Sequence, residues 1–82
     1  MDDWIDRFAD ALGEERISPK DMGALLKMSR QVAHGVDRKF APLSTYLAGV
    51  YVGRRTAAGE EPDVALRRAI DEALGLVPEP PA

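Results

Sequence analysis

The sequence predicts an all-α fold: a compact domain of four helices with short connections. Three observations predict it. Apolar residues recur at three- and four-residue spacing along most of the chain. No stretch alternates with period two, and no turn joins two strand-like runs. Helix starts and stops also punctuate the chain in order, at Gly13, Ser18-Pro19, Gly35, Pro42, Gly59, Pro62 and Gly75. The 82 residues make one domain, expected over 1–76, with 77–82 as a flexible Pro-rich tail.

The first helix is expected from about Asp3 to Leu12. Asp2 and Asp3 suit the positive end of the helix dipole. Trp4, Ile5, Phe8, Ala9 and Leu12 form one apolar stripe, and Gly13 is a left-handed stop. The second helix has the clearest start: Ser18 as cap, Pro19 in the first helical position, Asp21 three residues after the cap. Its buried face is read as Met22, Leu25, Leu26, Ser29, Val32 and Ala33, and it ends near His34 because Gly35 follows. Residues 37–41 read as a connecting loop.

Pro42 opens the third helix, with Ser44 as an alternative cap. Leu43, Leu47, Val50 and Tyr51 form its seam, with Tyr46 beside them. Gly49 and Gly53 lie four apart on one side. Each costs about 1 kcal/mol relative to alanine inside a helix. That cost points to helix packing, with another helix backbone approaching closely at both. The third helix ends over residues 56–59. Pro62 opens the fourth, whose apolar face is Leu66, Ala69, Ile70, Ala73 and Leu74, with Gly75 as its stop.

Composition excludes several chemistries. Cysteine is absent, which removes disulfides and thiolate metal sites, and a single histidine removes a multi-histidine site. The acidic residues Asp2, Asp3, Asp6 and Asp10 lack calcium-loop spacing and read as a solvated face. No metal and no cofactor is expected. There is no phosphate loop of the GxxxxGK type and no recognisable nucleophile motif. Net charge is −3, which argues against nucleic acid, and a helix-turn-helix reading fails on the same ground. The longest mainly apolar run, Tyr46 to Gly53, is far short of the ~20 residues that span a bilayer. The acidic start does not resemble a secretory signal. A soluble cytoplasmic protein with neither membrane nor nucleic-acid partners is expected.

Charge is unevenly spread. Between Lys20 and Arg55 seven basic residues stand against two acidic ones, a balance of +5. The flanking segments carry four bases and twelve acids, −8. Within the basic middle, His34, Arg38, Lys39, Ser44 and Thr45 gather around a helix end and a helix start. Free amides at a helix N-terminus, beside a guanidinium and an ammonium, are the components of an anion site for phosphate or carboxylate. The plainer alternative is that His34 and Ser44 cap their helices and both cations are solvated. His34 as a general base would need an orienting partner, and only Asp37 is near in sequence. Phe40, in this basic loop, either tucks beneath it or anchors a partner. Trp4, Phe8, Tyr46 and Tyr51 read as core aromatics by spacing, with Trp4 also placed to meet a partner.

The strings Val32-Ala33-His34-Gly35-Val36-Asp37-Arg38 and Ala41-Pro42-Leu43-Ser44-Thr45-Tyr46-Leu47-Ala48-Gly49, with Trp4-Ile5 on an acidic helix start, carry a resemblance. The chain resembles a family of small bacterial helical domains of unknown function, found alone or fused behind the nucleotidyltransferase domain of molybdenum cofactor guanylyltransferase. The resemblance runs from about Trp4 to Leu74. It implies a link to molybdenum cofactor biosynthesis, whose molybdopterin guanine dinucleotide is a phosphate-bearing ligand. It marks His34, Arg38, Pro42, Ser44 and Thr45 as family signature. The nucleotidyltransferase domain is not in this sequence, so the resemblance implies an accessory role rather than guanylyl transfer.

The expected function is therefore a non-enzymatic accessory or binding domain. Its partner is another protein or a second copy of the chain, with a phosphate-bearing ligand as a further candidate. The alternative is a self-associating structural module with no small-molecule ligand, using Gly49 and Gly53 as its contact.

Overall fold

The computed structural model describes residues 3–78. Among them are four α-helices and no strand: α1 (Trp4–Leu12), α2 (Pro19–Gly35), α3 (Phe40–Ala57) and α4 (Pro62–Leu76). The all-α four-helix reading holds. Asp2, Pro80 and Pro81 lie outside the described residues.

Local chemistry sets most of the boundaries. Ser18 Oγ accepts the Asp21 amide at 3.1 Å and Pro19 takes the first helical position, so α2 begins as its sequence demands. Gly13 ends α1 in the left-handed region at φ 71°, and Gly59 makes the α3–α4 turn at φ 98°. Gly35 and Gly75 are not stops. Both are helical, and neither has a positive φ. Gly35 has a different reason to be glycine: a Cβ there would run into the Val77 side chain. Val77 is half-buried and packs against the core, so the ordered domain extends past residue 76.

The α2, α3 and α4 helices pack on one another. Their centre is Met28, Val32, Ala48 and Ile70, with Leu25, Leu66, Ala69, Ala73 and Leu74 closing around it. Met28 is completely buried. The stripe read for α2 omitted it, although Leu25, Met28 and Val32 keep a helical i, i+3, i+7 spacing. Leu26, read as buried, is exposed. The α4 face agrees with its reading and gains Ala65, which is fully buried.

Among the described residues, α1 has no close backbone approach to any other helix. Only Ala9 of its stripe is buried. Phe8 is 47% exposed and Leu12 59%. Trp4 stacks on Phe8 at 5.3 Å between ring centroids. The segment after α1 folds back on it: Glu14 donates its amide to the Ala9 carbonyl, and Arg16 grips the Asp10 carboxylate with two hydrogen bonds of 3.0 and 2.6 Å.

Candidate functional site

The α2–α3 turn is built by Asp37. Its carboxylate accepts the Lys39 amide at 3.0 Å, and its carbonyl accepts the Phe40 amide at 3.1 Å. The Arg38 carbonyl then takes the amide of Ala41. This Asx-type turn starts α3 at Phe40, two residues before Pro42. Proline is tolerated there because first-turn amides lack intrahelical partners anyway.

That start rearranges the components of the anion site drawn from the sequence. The amides of Lys39, Phe40 and Ala41 already have acceptors, and Pro42 has no N–H. Ser44 and Thr45 lie beyond the helix start and donate their hydroxyls to the Ala41 and Pro42 carbonyls, both at 2.8 Å. Neither caps the helix. His34, Arg38 and Lys39 are exposed, and Lys39 Nζ lies 5.4 Å from the Phe40 ring centroid. What the structure shows is a solvated basic turn in which three of the backbone amides are already bonded.

The close approach of another helix of this chain, expected at Gly49 and Gly53, is not seen. Both are exposed, and no atom of a neighbouring element lies within 4 Å of a Cβ built on either. No helix among the described residues approaches them.

An apolar concavity lies elsewhere. A groove of about 630 Å3 runs between α3 and α4 and closes against the last turns of α2. Val36, Phe40, Leu47, Ala73 and Leu76 give it an almost wholly apolar lining. It exists because α3 turns its small residues inward. Ala41 and Ala48 are buried, whereas Leu43, Tyr46 and Leu47 face out, Leu47 being 65% exposed. Sequence reasoning took Leu43 and Leu47 for core seam. The overlooked signal is that apolar residues cover more of the α3 circumference than one core contact needs.

A family model matches residues 1–82 in full. The chain belongs to the family described as Domain of unknown function (DUF6457). No curated protein matches it, and no solved structure matches it. The resemblance to a helical domain of unknown function agrees with that membership.

The polar residues around the groove are mostly committed to the scaffold. Arg68 donates to Tyr51 Oη at 3.0 Å and to Glu60 at 2.8 Å, and Arg55 donates to the other Glu60 oxygen at 2.8 Å. The Arg55 hydrogen bond, aided by both guanidinium charges, holds the Glu60 carboxyl below its ordinary range. This clasp ties the end of α3 to α4. A second, smaller groove of about 280 Å3 separates α2 from α4 and carries balanced charge, Lys20, Lys27 and Arg67 against Asp21, Asp63 and Asp71. Among the described residues no three His, Asp or Glu side chains stand close enough to hold a metal. Nor is any helix long and apolar enough to cross a membrane.

Proposed function

We propose that this domain is a non-enzymatic binding module whose α3–α4 groove receives an amphipathic helix. One observation carries the reading: a continuous apolar groove left open by a helix that buries alanines and displays Leu47. Grooves of this kind take a helix through side chains at i, i+4 and i+8, and affinity comes from apolar burial. The resemblance to domains fused with molybdenum cofactor guanylyltransferase supplies the setting, an accessory role in cofactor maturation. A phosphate-bearing ligand would have to rely on Arg38 and Lys39, because the Lys39, Phe40 and Ala41 amides are already bonded.

Fluorescence anisotropy tests the reading. The probe is a labelled synthetic helical peptide with Trp, Phe and Leu at four-residue spacing over an acidic face. Saturable binding that disappears in Leu47→Glu is expected. A flat titration, or binding that Leu47→Glu leaves intact, overturns the groove as the binding site.

A further inference from the structure

We infer that the occupant of the groove is α1 of a second copy of this chain, docked reciprocally. The inference rests on the groove reading and names its partner.

Shape matches first. Trp4, Phe8 and Leu12 recur at four-residue spacing along one edge of α1, a stripe of about 12 Å at 1.5 Å per residue. On α4 the groove runs from Arg68 to Leu76, the same eight-residue rise of about 12 Å. Each surface is the kind the other lacks: a separated apolar ridge on α1, an apolar trough between α3 and α4.

Charge does not oppose the match. Residues 3–16 hold five acids and two arginines, a balance of −3, and the acids of α1 lie off its apolar edge. The charged residues that line the groove are Arg68 and Glu72, one of each sign, so the apolar ridge meets no net charge there.

A second copy is favoured over the chain's own α1 by the tether between them. The Gly13 cap, the Glu14 amide and the Arg16–Asp10 pair fold residues 13–16 onto α1. Only Ile17 and Ser18 remain to span, about 7 Å at full extension. Val32, where the groove meets α2, lies thirteen residues beyond Pro19, about 20 Å along the helix axis. To lie in its own groove α1 must break its cap and ion pair, whereas a neighbouring copy meets no such tether. With one ridge and one groove per chain, a two-fold pair fills both grooves, each taking the other copy's ridge.

Sedimentation velocity of the full chain, from micromolar to millimolar, is the first measurement. A reversible dimer is expected, with Phe8→Glu and Leu47→Glu each monomeric and still helical by circular dichroism. Mixing those two variants should restore a heterodimer, because one carries the intact groove and the other the intact ridge. A wild-type monomer throughout, or a dimer that survives both substitutions, overturns the inference. The absence of native cysteine allows a second assay. Phe8→Cys chains mixed with Leu47→Cys chains should form an interchain disulfide, and the double variant closing within one chain at monomer mass would assign the groove to its own α1. The Phe8→Glu chain also separates this inference from the reading it rests on. If that chain binds the synthetic peptide while the wild type never dimerises, only the reciprocal partner fails. If it binds no peptide, the groove reading fails too.

Discussion

Two helices of this chain begin from similar material and end differently. Both α1 and α4 are short and amphipathic, with an acidic first turn and a clean apolar stripe. The α4 stripe lies against Met28, Val32 and Ala48, and α1 keeps Phe8 and Leu12 in solvent. Periodicity shows that a helix has an apolar face. It does not say what covers that face. Short links settle the matter for α4, because a tight turn returns it onto α3. The α1 link instead spends its residues bonding back to α1.

The comparison breaks or holds on one pair of substitutions. Met28 is fully enclosed, so Met28→Ala should lower unfolding free energy by about 2–5 kcal/mol in urea denaturation. Phe8→Ala, measured on the dissociated chain, should stay within about 0.5 kcal/mol of wild type, as surface changes do. Equal losses would make α1 part of the core.

A smaller effect sharpens the boundary of the packed region. Val77 sits where a side chain at Gly35 would be. Gly35→Ala should cost about 1–3 kcal/mol through overpacking. Gly35→Ala combined with Val77→Ala should cost less than the sum of the two single changes, because they share one contact. Strict additivity would show that Val77 is not seated there.

The smallest expected effect is electrostatic and separates the regions by pH. Glu60 in the core clasp and Asp10 beside Arg16 both have lowered carboxyl pKa values, each chiefly through an arginine hydrogen bond. In each case the unfolded chain takes up its proton first as pH falls. The stabilising contribution is complete above the ordinary carboxylate value and is lost as pH drops through the lowered one. Glu60 joins α3 to α4, so Glu60→Gln should flatten the acid limb of global unfolding below the ordinary glutamate value of 4.5. Asp10→Asn should leave that limb unchanged, because its partner belongs to the same segment. A global response to Asp10→Asn would tie α1 to the core.

Much of the scaffold was legible. Ser18-Pro19 and Gly13 act as their types require, and the α4 face was read nearly whole. The start of α3 was not, because Asp37 builds a turn whose hydrogen bonds outrank the proline signal. The arrangement drawn for the anion site shifts with it: once α3 begins at Phe40, the serine and threonine lie inside the helix and the Lys39, Phe40 and Ala41 amides are bonded. The groove is not legible from periodicity, because an apolar helix residue looks the same in sequence whether it faces the core or an open surface. Six large apolar residues between Phe40 and Tyr51 are too many for one stripe, and the paired alanines at 41 and 48 were the cue to which side faces in.

The nine residues of α1 fall short of the roughly 12–15 that a solitary helix needs to persist in water. Stacked rings, a glycine cap and one arginine clamp are its local supports. Its amides should therefore exchange with deuterium on a far faster clock than those of the three-helix body, and slow down only when another surface shields them. Order at this edge of the protein is then a quantity that association adjusts, and the amount of chain present decides how much of it is folded.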